Sequence, residues 1–199
     1  ALQKYIEKYP EFLLALDPIA VSQSAPEIVL RMSSAAEKAD VGPMAAVAGA
    51  LADLAAETMI AQGAEVAVVE NGGEISVGSD ARLYVAINSG QSSLSGRLGF
   101  RILPTDLPLG LATSSGTVGH ALSFGSADSA TVIAENAALA DAGATAVCNA
   151  VKGDDSCDSI TKGLGVAQQI KGVRGALIVR GDHVGTTGQL PSMITISQP

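Results

Sequence analysis

Apolar positions recur every three or four residues through the first third of the chain, the spacing of one helix face. Leu2 to Leu16 (LQKYIEKYPEFLLAL) reads as an amphipathic helix that kinks or breaks at Pro10, which lacks an amide donor. Pro26 to Ala39 reads as a second helix, with Ser24 as its cap and Pro26 near its first turn. Gly42 to Gln62 reads as a third, rich in alanine and ended by Gly63. Its polar residues Asp53 and Glu57 lie at helical spacing, and alanine on the other faces predicts close packing against a sheet.

From Ala64 the period changes. EVAVVENGGEISV reads as strand, tight turn at Asn71-Gly72-Gly73, and strand. Arg82 to Asn88, Leu98 to Leu103 and Leu109 to Thr113 are further strands, and Ser129 to Ala134 (SATVIA) is a buried one. Asn136 to Val151 and Asp158 to Lys171 read as helices. Ala176 to Arg180 and Pro191 to Ile196 read as late strands joined through the loop GDHVGTTGQ. The expected class is α+β, layered in the α/β manner, with a mixed sheet packed by Ala-rich helices.

No linker or short-period repeat divides the 199 residues, which suffice for a single domain with a sizeable core. A 47% hydrophobic content argues against disorder, and with 3% aromatics the core must be built from Ala, Val, Ile and Leu. The net charge of −8 comes without the basic stripe that duplex nucleic acid requires, and scarce aromatics remove a stacking platform for single strands. The longest uncharged apolar run, around Val41 to Ala52, is short for a bilayer span, and no signal peptide is visible. A cytoplasmic protein with no nucleic-acid or membrane partner is expected. The chain opens inside a helical pattern, so a longer natural N-terminus is expected too. Cys148 and Cys157 are too few for a disulfide scaffold and read as reduced, a bridge between them being the alternative.

Three segments carry candidate chemistry. In AALADAGATAV, Asp141 and Thr145 are four apart and share a helix face, offering two oxygen ligands to Mg²⁺, which fills the rest of its shell with water and phosphate. The plain alternative is that Asp141 caps a neighbouring loop while Thr145 packs. In TSSGTVGH, the hydroxyls of Ser114, Ser115 and Thr117 with glycine-allowed backbone can cradle a phosphate. His120 is a general base, a phosphate contact or a structural histidine. Neither the Walker pattern nor GxSxG is matched. In ENGGEI, two glycines either make a hairpin turn or let backbone amides approach a ring or phosphate where a Cβ would clash. His183 reads as a surface-loop residue.

The series VGPMAAVAGALAD, ENGGEI, TSSGTVGHALSFG, ALADAGATAV resembles the small ApbE-like proteins, distant relatives of the Mg²⁺-dependent FAD:protein FMN transferases. The resemblance runs from Tyr5 to the C-terminus and implies a further N-terminal segment. It implies FAD cleavage with FMN attached through its phosphate to a hydroxyl of an acceptor protein. It implies a metal held by Asp141, Thr145 and the Ala45 carbonyl. It implies cofactor contacts from Asn71, Gly72, Gly73, Thr113, Ser114, Ser115, Gly116 and Thr117, with His120 and Asp141 catalytic. The chain departs from that pattern at Ala48, where the transferases bear a lysine, at Glu74, where they bear an aspartate, and at Thr117, where they bear an acidic residue.

Three expectations follow. The first is a Mg²⁺-dependent flavin or phosphoryl transferase acting on a phosphate-bearing small molecule, FAD or FMN among them. The second, favoured by Ala48, is a module that binds flavin or nucleotide without cleaving it. The third is a homo-oligomeric scaffold with Ala-rich helices at its interface.

Overall fold

The computed structural model describes residues 1–117 and 123–196. Three helices come first: α1 (Leu2–Lys8), α2 (Glu11–Leu14) and α3 (Glu27–Ala39). A 3₁₀ turn at Pro43–Ala46 leads into α4 (Val47–Ala61). Strands β1 (Val66–Asn71), β2 (Glu74–Ser79), β3 (Leu83–Ala86), β4 (Leu98–Ile102), β5 (Leu109–Ser114) and β6 (Ser129–Ala134) follow. Helices α5 (Ala137–Ala150) and α6 (Ser156–Gln169) precede β7 (Val173–Arg180), β8 (His183–Gly188) and β9 (Ser192–Thr195).

Six strands form one sheet in the order β1-β2-β5-β6-β7-β8, and three form a second in the order β3-β4-β9. The class is α+β, as the sequence suggests. The pairings are antiparallel throughout, a difference from the mixed sheet expected. The reason lies in the connections: hairpins join β1 to β2 and β7 to β8, and the helices between β6 and β7 return the chain to an antiparallel neighbour.

The central strands of the large sheet, β2, β5, β6 and β7, are buried on both faces, and the edge strands β1 and β8 are largely exposed. β6 shows why every residue of SATVIA is apolar or hydrogen-bonded. Ala130, Val132 and Ala134 face the helices with Ala112, Ala176 and Ile178. Ile133 faces the small sheet with Ile75, Leu111, Leu177 and Phe100. The helix side is lined by alanine because α5 lies so close: a Cβ on Gly110 would sit 2.1 Å from the Ala137 nitrogen.

Four local expectations change. The first helix divides into α1 and α2 around Tyr9 and Pro10. Ser24 does not cap α3; Pro26 holds the N-cap position, and the Ser24 hydroxyl pairs with Ser22 at 2.8 Å. The third helix is interrupted at Ala46 (φ −122°, ψ 8°), where the 3₁₀ turn gives way to α4. The segment GDHVGTTGQ contains β8, joined to β7 by a turn at Gly181 and Asp182. Its glycines hid the strand, yet Gly185 is there so that Ile160 of α6 can pack; a Cβ would lie 2.4 Å from Ile160 Cγ2. Cys148 is buried, Cys157 exposed, and both are free thiols.

Counting its 3₁₀ lead-in, Pro43–Ala61 is one 19-residue helix long and apolar enough to cross a membrane by length and composition, longer than the run read from sequence. Ala50, Ala52, Asp53 and Ala56 of this helix are buried against the rest of the fold.

Gly49 fixes how α4 crosses α5, because a Cβ there would fall 2.2 Å from the Ala137 carbonyl oxygen. Gly49→Ala is expected to destabilise by about 1–3 kcal/mol in chemical denaturation. Gly165→Ala in α6, with nothing within 4 Å of the added methyl, is expected to be neutral or stabilising by up to about 1 kcal/mol. Equal effects at the two positions would remove the tight crossing.

Candidate functional site

Two carboxylates join α4 and α5 in opposite senses. Asp53, in the second turn of α4, is buried and accepts the amides of Ala137 (3.0 Å) and Ala138 (2.9 Å) at the start of α5, with the Ser76 hydroxyl as a third donor at 2.7 Å. Asp141, one turn into α5, accepts the Gly49 amide at 3.0 Å near the start of α4. Each acid therefore meets amides that a helix start leaves without partners, at the positive end of a helix dipole. Asn136 adds its own cap, accepting the Leu139 amide at 2.8 Å.

This junction stands at one side of a cavity of about 910 Å³. Asp141 and Thr145 of α5 line it, as does Ala45 at the helix interruption. The β1–β2 turn contributes Gly72 and Gly73 at positive φ (79° and 117°), where only glycine sits without strain. The end of β5 contributes Thr113, Ser114 and Ser115. Segments far apart in the sequence thus reach one space.

Other expected residues lie elsewhere. The Thr117 hydroxyl is given to Asp128 Oδ1 at 3.2 Å, and Gly116 packs on Gly125, whose carbonyl oxygen would be 2.0 Å from an added Cβ. The Asn71 amide donates to the Ala48 carbonyl at 3.2 Å, tying the turn to α4 instead of entering the cavity. His120 lies outside the described residues. His183 is exposed at the first position of β8.

Sequence reasoning missed several participants. Glu74 lines the cavity and is only 9% exposed. The sequence marked it only as a departure from the transferases' aspartate, since a glutamate after a glycine turn otherwise reads as a solvated residue. Asp53 carried more: a carboxylate inside an alanine-rich helix had to be satisfied or exposed. Leu13, Leu16, Met44, Val47 and Phe124 add apolar lining to the same cavity.

The site is acidic. Burial, and then the nearby charge of Glu70, push the Glu74 carboxyl up to about 7, although its own backbone amide opposes this. Burial and then Glu74 hold Asp141 well above the ordinary carboxylate range, against the amides of Gly49 and Ala48, which pull it down. Among the described residues no Lys or Arg lines the cavity. The segment 118–122 reads VGHAL and contains neither.

These residues fit a hard divalent cation. Glu74 raises the proton affinity of Asp141, which a positive charge bound beside them would reverse, and the Thr145 hydroxyl stands one turn from Asp141. No group of three His, Cys, Asp or Glu able to hold a metal occurs among the described residues. A cation here would therefore keep water or ligand oxygens in its shell, which suits Mg²⁺.

Residues 1–168 match the family described as AbpE bacteria. The chain is 43% identical over 194 residues to the UPF0280 protein of Methanothermobacter thermautotrophicus, covering 97% of this chain and 75% of that one. It is 42% identical over 198 residues to the UPF0280 protein of Methanopyrus kandleri, covering 98% and 79%. Among solved structures, the ApbE protein of Thermotoga maritima matches with a TM-score of 0.51 at 17% identity, over 72% of this chain and 52% of its own. The flavinyl transferase ApbE of Pseudomonas stutzeri matches with a TM-score of 0.46 at 20% identity, over 75% and 48%. The chain spans about half the length of these two structures. The Thermotoga likeness establishes the fold.

A carboxyl whose folded pKa is raised binds its proton more tightly folded than unfolded, so its contribution to stability is present in acid and lost as pH rises. For Glu74 the loss falls between its ordinary 4.5 and about 7 and amounts to at most roughly 3 kcal/mol. Asp141 acts in the same direction. Metal-free protein is expected to lose stability across that window, and Glu74→Gln to lose distinctly less. Urea denaturation at stepped pH tests this, and parallel curves for the two proteins would count against the buried acid pair.

Proposed function

The chain belongs to the AbpE bacterial family and stands with the UPF0280 proteins, and from that premise we propose that its cavity binds a flavin or nucleotide diphosphate beside Mg²⁺ and transfers the FMN phosphoryl group. The supporting observation is the convergence of Asp141, Thr145, the Gly72–Gly73 turn and the Thr113–Ser115 segment on one cavity. Asp141, Thr145 and the Ala45 carbonyl hold the cation. Bound Mg²⁺ supplies neutralisation of charge on the phosphate oxygens.

The chain's own groups do the rest. The backbone of Gly72 and Gly73 leaves space for close approach of the ligand, since no Cβ intrudes. Hydroxyls of Thr113, Ser114 and Ser115 offer hydrogen bonds to phosphate oxygens. The apolar lining of Leu13, Leu16 and Phe124 receives the flat ring system and excludes water. In the transfer, an acceptor hydroxyl oxygen bonds to the phosphorus of the FMN half. The bridging P–O bond breaks, AMP departs, and the hydroxyl proton passes to His120.

A specific observation favours a second reading, in which the ligand is held without cleavage. No Lys or Arg lines the cavity among the described residues, and Ala48 lies where the transferases carry a lysine. A developing negative charge has one neutralising partner fewer there.

Incubation with FAD, Mg²⁺ and a threonine-containing acceptor peptide, with chromatography of the products, separates the two readings. Transfer predicts release of AMP, reduced roughly a hundredfold or more by Asp141→Asn. Thermal stabilisation by FAD and Mg²⁺ without AMP selects the binding module. Neither stabilisation nor product removes both.

A further inference from the structure

The small sheet gathers positive charge on one face of an acidic chain. Within their bounds β3, β4 and β9 contain no Asp or Glu and one arginine, Arg101; Arg82 and Arg97 stand one residue before β3 and β4, with Asp80 two residues before Arg82. Their register fixes which side chains share its outer face: Tyr84 lies opposite Arg101, and Arg101 opposite Ser192. Arg97 continues the alternation, since the Ile196 amide bonds to its carbonyl. Arg82 precedes Tyr84 by two and reaches its hydroxyl with Nη1 at 3.4 Å. Leu83, Val85, Phe100 and Ile102 point the other way, into the core.

Three arginines therefore share one face of a chain whose net charge is −8. Among the described residues the ion pairs are made by Arg31, Lys38 and Lys162, and by none of these three. Arg101 Nε is buried without a hydrogen-bond partner. As diagonal cross-strand neighbours, Arg82 and Arg101 are spaced about 7–8 Å apart at their backbones. Arg97 stands roughly 14 Å along β4 from Arg101.

This face runs into an open strand edge. The Ile87 amide bonds to the Leu98 carbonyl. By alternation the amides and carbonyls of Leu83 and Val85 also point to β4, and those of Tyr84 and Ala86 point off the edge. Tyr84 is 61% exposed, and Ala86 both ends the strand and lines the cavity. Unpaired main-chain groups along an edge are a template for another strand.

We propose that this edge and face dock the acceptor polypeptide, an acidic extended segment that pairs with the backbone of Tyr84 and Ala86. Its carboxylates rest on Arg82, Arg101 and Arg97, and its hydroxyl residue enters the cavity past Ala86. Charge sorts the two surfaces: the acids of the segment meet arginine, and the uncharged hydroxyl meets the acidic cavity. A free phosphate would use the arginines but leave the Tyr84 and Ala86 carbonyls and amides unpaired, which favours a polypeptide. The proposal rests on the transfer reading.

The probe is a short labelled peptide alternating Glu and Val with one Thr, followed by fluorescence anisotropy on the full chain with Mg²⁺ and ADP present. Wild type is expected to bind it, more weakly as salt rises, and to reject the same peptide with Lys for Glu. Arg82→Glu with Arg101→Glu is expected to weaken binding roughly tenfold or more. Tyr84→Pro, which removes an amide facing away from β4, is expected to weaken it while the thermal melt stays intact. Stabilisation by ADP and Mg²⁺ should be unchanged in both variants. Equal binding of the two peptides, or indifference to the arginine reversal, overturns the docking surface. If ADP and Mg²⁺ stabilise wild type but the acidic peptide does not bind, the docking surface alone fails. If wild type responds to neither, the transfer reading fails with it.

Discussion

The junction of α4 and α5 depends on two acids exchanged between helix starts. Asp53 gives its carboxylate to the amides that open α5, and Asp141 gives its own to an amide near the opening of α4. A buried carboxylate is tolerated only where donors replace the water it lost. Helix starts supply such donors in excess, because their first amides have no partner within the helix. The exchange requires the two helices to touch, and Gly49 permits it by carrying no side chain into the Ala137 carbonyl. The alanine-lined helix layer, the close approach of β5 beneath α5 and the position of the cavity all follow from that crossing.

The two acids differ in what remains of them. Asp53 takes three hydrogen bonds, and its work is structural. Asp141 faces the cavity with its proton affinity raised by burial and by Glu74. The same helix architecture thus fixes one carboxylate and presents the other. The same cavity is lined by hydroxyls, glycine backbone and aliphatic side chains, the mixture expected of a ligand with a charged group and a flat apolar part.

Much of the fold was legible in the sequence because its elements carry their own local signals. The turn at Gly72 and Gly73, the buried strand Ser129–Ala134 and the helix Ala137–Ala150 follow from glycine placement and hydrophobic period. β8 was not legible, since three glycines in GDHVGTTG mask a strand whose spacing serves α6 rather than its own propensity. The antiparallel pairing was hidden for another reason: helices between strands usually announce parallel neighbours. In the site, Asp141 with Thr145 was visible as a spacing on one helix. Glu74 and the caps of Asp53 were not, because burial and cross-helix partners are tertiary facts. The arginine face of the small sheet was dispersed over Arg82, Arg97 and Arg101, and only the register gathers them.

In the proposed function Asp141, the half of this junction left facing the cavity, is a cation ligand. Electron paramagnetic resonance of Mn²⁺ titrated into the protein measures it without any substrate. One tightly held Mn²⁺ per chain is expected, displaced by Mg²⁺, weakened at least tenfold by Asp141→Asn and less by Thr145→Val. Undiminished Mn²⁺ binding in Asp141→Asn, with the variant folded, would contradict it.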